Sequence, residues 1–349
     1  MVPEEITASW LGSVLGNKVK SFEITNSILN ATAGKIFITV TYEDEEDAAT
    51  PRPTYICLKG GFNPAMLAME GYSEILKKMY SKEVEFFNVV APTLTNINLP
   101  KVWKAVENPE QGQGILVMDD LSKAHTFGDP VEDWPVERVK AGVEQLAALH
   151  AGTWGATPTK EYSSYEAVML GLALNWEAMV LSDDRPPAPE EIRNQERTVA
   201  ALKKHFTTKN PRFVAVLHGD PHIGNTFIDA DDKPYFLDWQ THYIGTAFHD
   251  VTYFVLGALS VEDRRAHEME IFDHYLKALA KFGGPTLSTD DEEVMTEYKK
   301  TSICGMGWVL TPYQMQGRER VFAMCKRYNA AMVDHKTIEL IESLPEPSE

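Results

Sequence analysis

The segment Val216-Leu217-His218-Gly219-Asp220-Pro221-His222-Ile223-Gly224-Asn225-Thr226-Phe227 delivers a carboxylate after an apolar run and an amide five residues later. A second apolar run ends in another carboxylate, within Phe236-Leu237-Asp238-Trp239-Gln240. Pro221 and Gly224 break any helix between Asp220 and Asn225. The backbone must therefore turn sharply, and it can aim both polar side chains at one point. The expected order is a strand, a tight loop, a strand and a return strand ending at Asp238. Two carboxylates and an amide so arranged suit phosphoryl transfer. A hydroxyl nucleophile needs a carboxylate to accept its proton and orient it, and the Mg²⁺ of a nucleoside triphosphate takes oxygen ligands such as Asp and Asn. On this reading Asp220 is the base, and Asn225 and Asp238 hold the metal.

The interval between Asp220 and Asn225 matches that of the protein-kinase catalytic loop. His218-Gly219-Asp220 stands in place of His-Arg-Asp, and Asp238-Trp239-Gln240 in place of Asp-Phe-Gly. The pattern His-Gly-Asp-x-His-x-Gly-Asn-Thr-Phe with a later Asp-Trp-Gln resembles the aminoglycoside phosphotransferase and choline kinase-like family. That family is the small-molecule phosphotransferase branch of the protein kinase-like fold. The resemblance implies an α+β, two-lobed architecture. Residues 1–118 would form a small nucleotide-binding lobe, with a five-stranded antiparallel sheet and a helix. Residues 119–349 would form a larger, mostly helical lobe for catalysis and substrate binding. It further implies ATP and Mg²⁺ as cofactors and a hydroxyl group on a small molecule as phosphate acceptor.

The elements that must position these groups can be read along the chain. Ile6, Trp10, Leu11, Val14 and Leu15 recur at helical spacing in residues 1–20. Strand-like runs follow at Ser21–Leu29 and Ile36–Tyr42, joined by the small-residue turn 30–35. That turn lacks the Gly-x-Gly-x-x-Gly of a nucleotide-covering loop. Tyr55-Ile56-Cys57-Leu58-Lys59 is a short apolar strand closed by one lysine and stopped by Gly60 and Gly61. Residues two apart in a strand share a face, so Cys57 points the same way as Lys59, toward the adenine, as a small packed side chain. By resemblance, Lys59 is the third-strand lysine that grips the α- and β-phosphates. The bland alternative is a lysine that blunts a sheet edge. Residues 66–90 read as a helix interrupted near Ser81. Within it Glu83-Val84-Glu85-Phe86-Phe87 resembles the family's Glu-x-x-Phe-Tyr segment, which makes Glu83, or failing it Glu85, the partner of Lys59.

Residues 100–106 and 114–118 read as two further strands. Met118 and Asp119 open a stretch that resembles the family's interlobe segment, so both are implied to contact the adenine through main-chain groups. Beyond them, residues 136–150 form a helix ending at Gly152 and Trp154-Gly155, with His150 as a capping or core histidine. Pro186-Pro187-Ala188-Pro189 is a loop. The resemblance gives Asp250, in Ile244–Val251, the task of supporting the catalytic loop. Later helices are expected at 251–259, 262–282, 291–304 and 318–342. A loop at Tyr313–Gln316 stands where an acceptor pocket would be built.

Composition narrows the partners. The chain has 349 residues, 44% of them hydrophobic, and a net charge of −18. That charge disfavours a nucleic-acid backbone or an anionic membrane, which call for clustered Lys and Arg. It serves solubility first and would favour a cationic acceptor such as an amine second. The acidic run 43–47 is expected at a solvated hairpin tip. No apolar run reaches the ~18 residues that span a bilayer. The three cysteines are widely spaced and make neither a disulfide framework nor a zinc pattern. With an acidic N-terminus lacking a signal pattern, the expected location is the cytoplasm.

Three other functions compete with this one. His218 and His222 stand four apart, as zinc ligands on a helix would, but a proline inside a helix costs ~3 kcal/mol. They are better read as braces of the loop, hydrogen-bonded to backbone. A two-metal phosphoesterase would need an early Asp-x-His, which the sequence lacks. A pseudokinase that binds nucleotide or metabolite without turnover usually loses the base, the metal carboxylate or the lysine. Asp220, Asn225, Asp238 and Lys59 are all present.

Overall fold

A computed structural model describes residues 3–29, 33–43, 51–63, 65, 68, 73–157, 164–208 and 210–346. The chain divides into two compact units. The first comprises Met1–Thr93, Leu99–Thr126 and Leu237–Gln240, and the second Leu94–Asn98, Phe127–Phe236 and Thr241–Glu349. Most of the acidic run 43–47, the turn residues 30–32 and much of 66–72 lie outside the described residues.

The first unit is built on an antiparallel sheet of β1 (Val19–Ile28), β2 (Gly34–Tyr42), β3 (Tyr55–Gly60), β4 (Val102–Asn108) and β5 (Gln113–Asp119), in the order β1-β2-β3-β5-β4. Alternation assigns each strand two faces. Ile36, Ile38 and Val40 of β2, Ile56 and Leu58 of β3, and Ile115 and Val117 of β5 pack with Leu11 and Leu15 of helix α1 (Ala8–Leu15). Cys57 and Lys59 therefore face the other side. There Leu116 and Ala105 pack with Val84 of helix α2 (Ser73–Glu85). Close approach of α2 to the sheet requires Gly114, because a Cβ at that position would lie 2.4 Å from the Tyr80 carbonyl oxygen. The helix is not interrupted at Ser81, whose hydroxyl binds Glu107 Oε1 at 2.5 Å. After Glu85 it widens into a five-residue turn, Phe86–Val90.

The second unit is mostly helical. Helix Ala247–Ala258 is its axis, and all twelve residues are buried. Helices Val136–Thr153 and Val261–Lys281 and the shorter Glu292–Thr301 pack around it. The helix expected over 291–304 tightens into the turn Ser302–Gly305 and resumes as Met306–Leu310. The one expected over 318–342 is two helices, Arg318–Asp334 and Thr337–Ser343, parted at Lys336, whose φ of 51° is left-handed. Arg327 anchors the first of them: its buried guanidinium binds the carbonyls of Pro130, Val131, Glu132 and Gly257 and the Asp133 carboxylate. A buried guanidinium with every donor used stabilises; one left unmatched is costly.

Near the motif, strand Val214–Leu217 pairs antiparallel with Tyr243–Thr246, a strand not anticipated from the sequence. Thr226–Ile228 pairs with Pro234–Phe236. The return strand thus stops at Phe236, short of the expected Asp238. No described helix is long and apolar enough to cross a membrane.

The central strand of the first unit gives a direct test. Leu58 is fully buried between β2, β5 and α1. Leu58→Ala should lower stability by about 2–5 kcal/mol through lost contact and a cavity, read as an earlier midpoint in chemical denaturation followed by tryptophan fluorescence.

Candidate active site

In the first unit, β3 carries Lys59 inward and α2 carries Glu83 to meet it. Lys59 Nζ lies 2.7 Å from Glu83 Oε1 and 2.9 Å from Asp238 Oδ1. Lys59 and Glu83 are buried, whereas the Asp238 side chain keeps 32% exposure. Glu83, the expected partner, reaches the lysine, and Glu85, the fallback, is exposed. Burial alone would lower the Lys59 pKa, but the Asp238 and Glu83 carboxylates outweigh it and hold the ammonium above its ordinary value. Burial pulls Glu83 up, against the attraction of Lys59 and with the like charge of Asp238 adding.

Glu83 also fixes the segment that bears Asp238. Its Oε1 accepts the Trp239 main-chain N–H at 3.1 Å, and its Oε2 accepts Gln240 Nε2 at 3.5 Å. The Trp239 ring stacks on Phe86 at 3.9 Å with 7° between planes. Asp238 itself sits at a left-handed φ of 70°. Cys57 lies buried, and burial pushes its thiol up to about 12, which leaves it an inert packing group. Met118 pairs with Cys57 across the β3–β5 ladder. The Asp119 N–H donates to the Lys101 carbonyl, and its carboxylate accepts Trp103 Nε1. Any main-chain contact from Asp119 therefore falls to its carbonyl.

In the second unit, the loop between strands Val214–Leu217 and Thr226–Ile228 holds Asp220 and Asn225. Asn225 Nδ2 donates to the Asp220 carbonyl at 2.9 Å and to Asp220 Oδ2 at 3.2 Å. The two side chains are thus brought together. Asp220 is partly exposed, with His222 Nε2 3.7 Å from Oδ2. His218 Nδ1 accepts the Asp220 N–H and His222 Nδ1 accepts the Gly224 N–H. Both rings are buried and brace the loop.

Asp250, at the start of helix Ala247–Ala258, lies beneath this loop. Its Oδ2 accepts the His218 N–H at 2.6 Å and its Oδ1 the Gly219 N–H at 3.0 Å. His150 Nε2 lies 3.2 Å from Oδ2, and His150 Nδ1 lies 2.8 Å from the Tyr275 hydroxyl. The network assigns one direction: Tyr275 donates to His150, which donates to Asp250. Burial would raise the Asp250 pKa, but the His150 hydrogen bond and the nearby His150, His218 and His249 rings bring it below the usual carboxylate range. His249 contributes a further contact, to the Gly219 main chain. Reading from sequence gave His150 only a core or capping place and gave His249 none, since each depends on packing between distant helices. Gly219 is required twice: its φ is 86°, and a Cβ would stand 2.3 Å from the Thr241 carbonyl oxygen.

Around Asp220 the hard oxygen donors are its own carboxylate and the Asn225 side chain, with the His222 ring beside them. Among the described residues no three His, Cys, Asp or Glu side chains gather to hold a metal unaided.

A five-stranded antiparallel sheet with a lysine–glutamate pair, a mostly helical second unit and this loop define the protein kinase-like fold of small-molecule kinases. The chain belongs to the ecdysteroid kinase-like family, whose model matches residues 37–283. Among solved structures, it is similar to the amicoumacin kinase hAmiN in complex with AMP-PNP, Ca²⁺ and Ami, at 14% identity and a TM-score of 0.52, over 95% of this chain and 93% of that one. It is also similar to APH(2")-IIia in its GDP and kanamycin complex, at 11% identity and a TM-score of 0.52, over 94% and 99% of the two chains. No curated protein matches it in sequence.

The Asp250 network predicts a pH dependence. A carboxyl whose folded pKa lies below its unfolded value stabilises above the unfolded value, near ~3.9, and ceases to as pH falls through the folded one. Asp250→Asn should cost about 3 kcal/mol at neutral pH and lessen the loss of stability on acidification below pH ~4. Thermal melts from pH 3 to 7 check both. Gly219→Ala should distort the loop and cost about 1–3 kcal/mol, read by the same melts.

Proposed function

We propose that the protein is an ATP- and Mg²⁺-dependent phosphotransferase acting on an alcohol group of a small molecule. The observation that carries this reading is the buried ammonium of Lys59 held between Glu83 and Asp238. A buried ion pair is a weak stabiliser compared with apolar packing of similar size. Keeping a lysine there, with a second carboxylate partly open to solvent, is better explained by a polyanionic ligand than by stability. The Asp220–Asn225 pair, with one carboxylate open, supports the same reading.

In this mechanism Lys59, oriented by Glu83, neutralises charge on the α- and β-phosphates. Asp220 orients the acceptor hydroxyl and takes its proton. Asn225 and Asp238 present the oxygens for Mg²⁺, which when bound neutralises charge on the phosphates. Cys57 and main-chain groups of Met118 and Asp119 border the adenine. His218, His222 and Asp250 hold the loop still. Catalysis is then positioning and charge neutralisation, with no covalent intermediate on the protein. The acceptor class follows the family description, so a steroid alcohol is the first to try, with amino alcohols beside it on account of the acidic surface.

The test is an ATP-consumption screen over a library of hydroxylated metabolites, with Asp220→Asn as the blank. Asp220→Asn should lower turnover by about 10²–10⁴-fold while nucleotide affinity stays near wild type. Asp238→Ala should abolish the Mg²⁺-dependent part of nucleotide binding in calorimetry. Unimpaired turnover in Asp220→Asn would remove that residue from the reaction.

A further inference from the structure

The loop that holds Asp220 and Asn225 rests on two supports. Its first half hangs from Asp250, in the first turn of helix Ala247–Ala258, through the His218 and Gly219 N–H groups. Its second half is pressed by the chain at 128–130. The Gly128 N–H donates to the Thr226 carbonyl at 3.3 Å. A Cβ at Gly128 would lie 2.1 Å from the Ile223 carbonyl oxygen and 2.7 Å from Thr226 Oγ1, so only a hydrogen fits there. Pro130 reaches the same loop: a Cβ at Gly224 would stand 2.9 Å from the Pro130 Cγ.

One side chain ties the two supports together. Arg327, on helix Arg318–Asp334, is 4% exposed. Its Nη1 donates to the Pro130 carbonyl at 2.9 Å and to the Gly257 carbonyl at 2.7 Å. Gly257 lies in the last turn of the same buried helix that carries Asp250. Arg327 Nη2 donates to the Val131 and Glu132 carbonyls at 3.2 and 2.7 Å, and Nε to the Asp133 carboxylate at 2.9 Å. Three consecutive carbonyls turned toward one spot call for a cation there, and so does the C-terminal end of a helix. The planar guanidinium has five donors for this task, whereas an ammonium has three and no fork. A second tie, the Trp134 N–H to the Ala258 carbonyl at 2.8 Å, holds the chain only beyond the turn.

We propose that Arg327 is a positioning residue for the loop that holds Asp220 and Asn225. It sets the turn 130–133 against the helix that bears Asp250. It thereby sets the span that residues 218–226 must bridge, and with it how Asn225 meets Asp220. Its bearing on phosphoryl transfer rests on the phosphotransferase reading, while the mechanical link stands on the contacts alone.

Amide hydrogen exchange in the full chain reads the mechanical link without any ligand. Arg327→Lys and Gly128→Ala should each speed exchange at residues 222–226 by about tenfold or more, with helix Val261–Lys281 as in wild type. Arg320→Gln removes an exposed ion pair between the same helix and Asp129, and should leave 222–226 unchanged. Faster exchange in Arg327→Lys confined to 128–134 and 318–334 would mean a local role and would overturn the proposal. Gly128→Ala breaks the same chain of contacts one step later, so it decides the matter if Arg327→Lys does not fold. Unchanged exchange at 222–226 in Gly128→Ala would also overturn the proposal. Calorimetry with ATP reads the bearing on the reaction. Both variants should weaken ATP binding by about tenfold with MgCl₂ present and leave metal-free ATP binding as in wild type. An equal loss under both conditions, or none, would remove Arg327 from nucleotide handling. A wild type that binds ATP no better with MgCl₂ would instead sink the phosphotransferase reading, and the exchange result would still decide the mechanical link.

Discussion

A fully buried carboxylate has to be satisfied, and in this protein its satisfaction sets the shape of the loop. Asp250 is shut off from bulk solvent, and both of its oxygens find donors within the fold. It takes the His218 and Gly219 N–H groups and the His150 ring, which in turn is matched by Tyr275. Two consecutive main-chain amides pointing at one carboxylate leave that stretch little freedom. The side chain that follows, Asp220, inherits its direction. A helix buried along its whole length supplies Asp250, so the support itself cannot drift.

The first unit solves a related problem with opposite exposure. Lys59 is buried, but one of its two acids, Asp238, is partly open. Glu83 alone would balance the ammonium. It also holds the Trp239 N–H, so the carboxylate that fixes the lysine also fixes the segment next to the open acid. Glu83 can reach this position because α2 lies hard against the sheet, with only a hydrogen at Gly114 facing the Tyr80 carbonyl. A packing detail on one face of β5 thereby governs an ion pair on β3.

Much of this was legible in sequence, for reasons that differ by element. Strands β3 and β5 announce themselves as apolar runs buried on both faces, and β2 as branched and aromatic residues whose buried face alternates with a half-buried one. The pairing of Asp220 with Asn225 was legible because proline and glycine leave few ways to connect them. The choice of Glu83 over Glu85 came from the family resemblance and not from the helix, since two acids two residues apart differ only by which face meets the sheet. The strand Tyr243–Thr246 escaped notice because a Gly-Thr end reads as a turn, and its partner lies far off in sequence. The break at Lys336 was hidden because lysine is an ordinary helix residue and carries no local mark of a left-handed φ. His150 and His249 show the same limit, as their partners sit on other helices.

Asp238 carries the argument one step further. A non-glycine residue at φ 70° is strained by about 1–3 kcal/mol unless its surroundings determine it. Those surroundings are visible: the next residue's amide is bound by Glu83, and the Trp239 ring is stacked on Phe86. A glycine or asparagine would meet the backbone need at lower cost, so the carboxylate is kept for something other than the turn. Its ion pair with Lys59 alone does not require it, because Glu83 already neutralises that ammonium. What remains is an acid held in a fixed, partly open place beside a buried cation, the arrangement on which the proposed phosphotransferase reading rests.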